Sequence, residues 1–272
     1  MQYVIRTVEC KNGIFEKTKF PVNIEPTERR TREQRREIDR AAKNTGTAKR
    51  NFARLLNNNF VPGDKHITLD LSDKGLGRVR ARADKISAKK RAKGEVMDDK
   101  DLLHRAMETE AENLNRRVLR ACRSAGIEYM YACVVSDMTD AEDSEHTARL
   151  HIHMVVNESA AEIVAQKWET MGAATIETLS AWASGGVEDW TRLATYIIGQ
   201  SRVVGSGKRY TVSRNLKKPP HKDRVAVRPD ALLRAPSGCV LLEQSAYIPG
   251  RPQYIRYIRP RYAPPPDEED AE

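Results

Sequence analysis

Two imidazoles, His151 and His153, bracket one apolar residue in the run RLHIHMVV, residues 149–156. Leu150, Ile152, Met154 and Val156 alternate with Arg149, His151, His153 and Val155. Successive side chains of a strand point to opposite faces, so this run predicts a strand with one apolar face and both imidazoles on the other. Two neighbouring imidazoles on one strand face can chelate one divalent metal ion, although the same pair is also compatible with a half-exposed surface feature. Further along, WTRLATYIIGQSR (residues 190–202) has helical spacing. Trp190, Leu193, Ala194 and Ile197 form its apolar stripe at roughly 100° per residue. Tyr196 lies on the flank of that stripe, with Arg192 and Gln200 one turn before and after it. Such a tyrosine is either a packing residue at the rim or a nucleophile, tyrosine being among the side chains capable of covalent catalysis.

These residues need a scaffold. Residues 31–57 predict a long, strongly basic helix or two shorter ones, because Gly46 weakens its middle. The turn Pro62-Gly63-Asp64 leads into a strand over 67–71. Residues 72–97, rich in Gly, Lys and Arg with weak periodicity, read as a basic loop with some helix. Leu103, Met107, Ala111, Leu114, Val118 and Cys122 mark one face of a helix over 98–123, stopped by Gly126. A strand over 129–136 and the acidic loop 137–147 return the chain to the histidine strand, which predicts an antiparallel hairpin. A helix over 159–171, a short strand over 174–179 and a helix N-capped by Asp189 complete the pattern. The order predicts an α+β fold, an antiparallel sheet with helices on one face.

Charge and composition narrow the partners. The 272 residues carry a formal net charge of +9 and a pI near 9.4, which favours a polyanion such as nucleic acid. The cations are clustered: ten Lys/Arg against four acids over 28–56, eight against one over 78–93, and eight against one over 202–224. Such runs suit a solvated helix face, but three of them favour a surface that tracks phosphates. No run of ~20 apolar residues is present, and the first ten residues lack an apolar signal-peptide core. The four cysteines (10, 122, 133, 239) form no CxxC pair. A cytoplasmic protein with no membrane partner is expected.

Five collinear segments carry a resemblance: the basic helix ending Leu55-Leu56-Asn57 with Phe60 to Asp64 and His66-Ile67-Thr68-Leu69; Gly126 to Tyr131 (GIEYMY); the HIH strand; the helix over 189–200; and KRYTVSRNLKKP, residues 208–219. In this order they resemble the HUH-endonuclease rolling-circle replication initiators related to the filamentous-phage gene II protein, over about residues 30–220. The resemblance implies a ferredoxin-like palm, and metal-assisted nicking and rejoining of single-stranded DNA through a 5′-phosphotyrosine. It makes Tyr196 the nucleophile, His151 and His153 ligands of Mg²⁺ or Mn²⁺, and Gln200 the third ligand, with Asp137 as its competitor. Arg192, Arg202, Lys208, Arg209, Tyr210, Arg214, Lys217 and Lys218 become candidates for DNA contacts, cations on phosphates and the aromatic for stacking. Tyr210 is a lesser candidate for a second nucleophile.

The implied partners are single-stranded or hairpin origin DNA of a plasmid, phage or mobile element, and a host helicase and DNA polymerase, since no Gly-x-x-x-x-Gly-Lys-Ser/Thr loop is present. The expected organisation is an N-terminal extension over 1–27, the endonuclease domain over 28–224, a C-terminal extension over 225–262 and a disordered acidic tail over 263–272. One departure stands out. The family usually has a lysine three residues after the tyrosine, and this chain has Gly199. The missing charge would come from Arg192, Arg202 or Lys208. Otherwise the chain is a slower nuclease, or a non-catalytic DNA- or RNA-binding protein on the same scaffold.

Overall fold

A computed structural model of the chain describes residues 2–22, 45–137, 149–179, 188–201, 208–226, 231–246, 248 and 252–259. The first part of the expected basic helix, most of the acidic loop, Arg202 and the acidic tail lie outside these residues. The fold is α+β, with two antiparallel sheets and five helices among the described residues. The chain divides into two compact units, one formed by residues 1–37 with 217–272 and the other by 38–216.

The unit formed by the two ends is a five-stranded sheet. Its strands are β1 (Gln2–Glu9), β2 (Ile14–Val22), β8 (His221–Val225), β9 (Val240–Gln244) and β10 (Gln253–Ile258), in the order β8-β1-β2-β10-β9. Ile5, Ala226, Leu233, Ile255 and Tyr257 form its core. The segments read from sequence as separate extensions therefore interleave, with β2 bonded to β1 on one side and β10 on the other.

The central unit holds the second sheet, built from β3 (Lys65–Leu69), β4 (Tyr131–Ser136), β5 (His151–Val156), β6 (Ala174–Thr178) and β7 (Thr211–Val212) in the order β6-β3-β5-β4-β7. β4 and β5 pair antiparallel, as the hairpin reading predicts. The helices are α1 (Thr45–Asn59), α2 (Asp73–Arg91), α3 (Asp99–Ser124), α4 (Ala161–Trp168) and α5 (Thr191–Gly199).

The helices cover both faces of this sheet, not one. On one face Ile67, Leu69, Cys133, Val135, Ile152, Met154 and Val156 meet the apolar sides of α2, α3 and α4. On the other, Ala132, Val134 and Val155 meet Phe52, Leu56 and Phe60, from α1 and the residue after it, and Leu193, Ala194, Ile197 and Ile198 of α5. The reason lies in β4 and β5 themselves. Ala132, Val134 and Val155 are apolar residues on the imidazole face, and burying each large aliphatic side chain contributes about 1.5–3 kcal/mol. A face only partly polar cannot be left to water.

Residues 73–91 are the second correction. The weak periodicity hides a 19-residue helix, which buries only one narrow stripe, Gly75, Val79 and Ala83. The stripe is formed by small residues, so it carries little hydrophobic signal. The Ser72 hydroxyl starts the helix by accepting from the Gly75 N–H at 3.1 Å, and donates to the Met171 carbonyl at 2.9 Å. The helix expected over 159–171 is shorter, α4 ending at Trp168 after a 3₁₀ turn over Glu158–Ala160.

Gly75 sets the approach of α2 to the loop after α4, because a Cβ there would lie 1.9 Å from the Met171 carbonyl oxygen. Two residues on, a Cβ at Gly77 would meet nothing within 4 Å. Opposite effects are expected from one substitution type. Gly75→Ala lowers stability by about 1–3 kcal/mol through overpacking. Gly77→Ala raises it by about 0.5–1 kcal/mol through helix propensity. Denaturant unfolding of the two variants checks the signs.

Candidate metal and nucleophile site

The register of β5 decides what the imidazoles meet. His153 sits between Thr68 of β3 and Val134 of β4, and His151 opposite Ser136. Both project to the face covered by α1 and α5. α5 presents its buried stripe to this face, and the flank predicted for Tyr196 and Gln200 falls beside the histidines. The Gln200 Oε1 lies 2.9 Å from His153 Nε2, and His151 Nε2 lies 3.0 Å from the same nitrogen. The Tyr196 ring stands edge-on to His153, with ring centroids 5.6 Å apart, and remains 38% exposed while its helix neighbours Ile197 and Ile198 are fully buried.

Proton positions follow from the partners. His151 Nδ1 lies 2.6 Å from the Arg149 carbonyl, which only accepts, so Nδ1 carries the proton. Nε2 of the neutral ring then holds a lone pair. Burial, then the neighbouring His151, drive the His153 imidazole down to about 3, so it is neutral near pH 7. Three atoms able to ligate a metal, His151 Nε2, His153 Nε2 and Gln200 Oε1, thus converge at 3.0 and 2.9 Å, the amide oxygen accepting from His153 Nε2–H.

Donors at about 2.1 Å from one ion, in adjacent octahedral positions, are about 3.0 Å apart. The donor set of two imidazoles and an amide oxygen therefore fits a borderline or hard divalent cation. Among the described residues no group of three or more His, Cys, Asp or Glu side chains is arranged to hold a metal ion. The cluster here depends on the amide of Gln200. Asp137 is placed differently. Its carboxylate Oδ2 faces His104 Nδ1 at 3.0 Å, and its N–H donates to the Gln200 carbonyl at 3.3 Å.

The site contains residues that sequence reading did not single out. His66 is 3% exposed. Its Nε2 lies 3.1 Å from His153 Nδ1 and its Nδ1 3.2 Å from Glu177 Oε2. Thr68 Oγ1 lies 3.3 Å from the same His153 Nδ1. Burial lowers the His66 imidazole from its ordinary range, and the Glu177 hydrogen bond raises it part of the way back. The alternation His66-Ile67-Thr68-Leu69 was a legible signal, since it is the same polar–apolar period that marks β5.

Gly199 has a cationic neighbour. Of the atoms near a Cβ built at Gly199, the one found is the Lys49 ammonium of α1, at 3.8 Å. A cation from another helix thus stands beside Gly199.

The remaining candidates scatter. Arg192, Lys208 and Arg214 are exposed. Arg209 donates to the Ser201 carbonyl. Lys208 and Arg209, with His104, Arg105, Glu108 and Tyr210, line a cavity of about 300 Å³. Tyr210 packs against Phe52, with centroids 5.0 Å apart, and burial raises its phenol. That ring belongs to the packing over α1. Lys217 and Lys218 are exposed and fall in the unit formed by the chain ends.

α5 is held at its start. Asn57 Oδ1 accepts from the Trp190 N–H at 2.8 Å, and its amide donates to Thr191 Oγ1 at 3.2 Å. The Asp189 carboxylate accepts from the Thr191 N–H at 2.9 Å, and Trp190 Nε1 donates to the Phe60 carbonyl at 3.2 Å. Comparison with protein-family models, curated proteins and solved structures finds no match. Asn57→Ala is expected to cost about 1–3 kcal/mol by leaving buried donors and acceptors unpaired. Loss of the ring contact between Tyr196 and His153, seen as a changed tyrosine environment by NMR, should accompany it.

Proposed function

We propose that the chain is an HUH-type single-strand DNA endonuclease and strand transferase that initiates rolling-circle replication of a plasmid, phage or mobile element. The observation that carries the reading is the convergence of His151 Nε2, His153 Nε2 and Gln200 Oε1 beside an exposed tyrosine one helical turn from Gln200. His151, His153 and Gln200 would hold Mg²⁺ or Mn²⁺. The ion supplies electrostatic stabilisation of the non-bridging phosphate oxygens, on which charge builds during transfer.

The protein's own groups do the rest. The Tyr196 oxygen attacks phosphorus, forming a Tyr–O–P bond as the P–O3′ bond breaks. The phenolic proton is balanced by the one gained at the released 3′-OH. One phosphodiester replaces another, so the reverse step rejoins the strand without a separate energy source. Lys49 contributes a positive charge next to Gly199, and Arg192 a second on the nucleophile's helix. This favours the active reading over a non-catalytic nucleic-acid-binding protein. The net charge of +9 suits a DNA partner.

Incubation with Mn²⁺ and a pool of single-stranded and hairpin oligonucleotides should yield a covalent adduct on Tyr196, read by mass spectrometry. Tyr196→Phe should abolish the adduct and leave DNA binding nearly intact. An adduct that persists in this variant would falsify the assignment, and binding without nicking in either metal would favour the non-catalytic alternative. Lys49→Met is expected to slow adduct formation on the order of 10²-fold while Mn²⁺ affinity stays unchanged.

A further inference from the structure

We infer that the unit formed by the chain ends carries a phosphate-binding cavity, lined by Lys17, Arg224 and Arg234, that grips the backbone of a single DNA strand. The cavity is about 320 Å³. Its described lining holds these three cations and no carboxylate, over the apolar Ile5, Leu232 and Leu233.

Strand register concentrates the charge. Ile5 of β1 stands opposite Lys19 of β2 and Arg224 of β8, and Thr7 stands opposite Lys17 and Lys222. Opposite residues of antiparallel strands share a face, so four cations of β2 and β8 lie on one face of this sheet. The acid of β8 is on the other face. Asp223 stands opposite Arg6 and accepts two hydrogen bonds from its guanidinium, at 2.8 and 2.7 Å. Glu9, one row beyond Thr7, shares the cationic face but does not line the cavity. Like charges placed side by side on a sheet repel. Burial, then the charge of Arg224, push the Lys17 ammonium below its ordinary range. An anion between Lys17 and Arg224 relieves that repulsion.

The wall of the cavity is tied down from within the unit. The buried Lys19 ammonium donates to the Ala231 carbonyl, and the Leu233 N–H donates to the Gln253 side chain at 2.9 Å. Arg224 and Arg234 remain exposed and Lys17 half-buried. A guanidinium offers its N–H groups in a planar fork that matches two phosphate oxygens. The apolar floor suits the sugar that accompanies a backbone phosphate. Lys222, two residues from Arg224 on the same face of β8, extends the cationic track by about 6.8 Å. A track suits a polymer of phosphates better than a single ion. The choice of DNA among phosphodiesters rests on the proposed nuclease reading.

The test uses the full chain without metal and a fluorescent single-stranded DNA oligonucleotide of mixed sequence, with binding read by anisotropy across a salt series. Lys17→Gln, Arg224→Gln and Arg234→Gln combined should weaken binding roughly tenfold, and lower the slope of log K against log salt by about 0.7 for each phosphate released. Leu232→Trp, which narrows the cavity and leaves the charge unchanged, should weaken binding as well. Leu232 is 46% exposed, so the fold admits the larger ring. In the wild type, bound oligonucleotide should protect Lys17 from acetylation, read by mass spectrometry. Arg224→Gln with Arg234→Gln, at two exposed positions, gives the same test if the triple variant does not fold.

The inference is overturned if the folded triple variant keeps the wild-type affinity and salt slope, whether or not it loses binding to phosphatidylglycerol vesicles. It is equally overturned if the triple variant weakens binding while Leu232→Trp binds as wild type and Lys17 is not protected, the signature of a long-range field and not of a site. An adduct on Tyr196, with a triple variant that binds as wild type, leaves the nuclease and removes the cavity. Weakened binding in the triple variant and in Leu232→Trp, with no adduct on Tyr196, removes the nuclease and leaves the cavity.

Discussion

β5 is the middle strand of its sheet, and both of its faces are covered. Ile152, Met154 and Val156 enter one core, and Val155 enters the other. A slip of one residue against β3 and β4 would move every side chain to the opposite face. It would set two imidazoles into the apolar layer under α2, α3 and α4, and aim Ile152 and Met154 at Gln200. Burying an imidazole without partners costs several kcal/mol, so register and site are specified together. The residues that place the histidines are the aliphatic ones between them.

The same logic extends to α5. It has nine residues, too few to be stable alone. Its buried stripe and the hydrogen bonds around Asn57, Asp189 and Trp190 hold it against α1. Because the stripe uses Leu193, Ala194, Ile197 and Ile198, the flank left over is the one bearing Arg192 and Tyr196. Gln200, at the helix end, turns towards His153. Packing thereby leaves a hydroxyl-bearing ring accessible beside a buried cluster of electron-pair donors. Lys49, reaching from α1 to Gly199, shows two elements sharing one local environment. The absence of a side chain on one helix coincides with the presence of an ammonium from the other.

Where the sequence was legible, a strong periodic signal explains it. α3 stands out because Leu114, Val118 and Cys122 recur along one face, Asp98 caps the start and Gly126, with φ +70°, follows the end. The β4–β5 hairpin was legible from two apolar runs and a polar loop. α2 is legible only as some helix within a basic loop, because its stripe of Gly75, Val79 and Ala83 is nearly silent in hydrophobicity. The second helical layer is not legible, because His151 and His153 give a polar character to a face that Ala132, Val134 and Val155 make largely apolar. Strands near the two chain ends pair across more than two hundred residues, β1 with β8, and nothing local marks such a partnership.

By itself the sequence determined parity and phase. His151 and His153 had to share a face, Tyr196 had to lie off the buried stripe, and Gln200 had to follow it by one turn, because strand and helix periods are properties of the backbone. Tertiary structure decided which of these features meet. It brought Gln200 Oε1 to His153 Nε2, turned Asp137 towards His104, placed Lys49 beside Gly199 and aligned Glu177, His66 and His153 across three strands. These relations depend on cross-strand register and on the side from which α1 and α5 pack. Both are set by burial summed over the whole unit, which no local window of the chain contains.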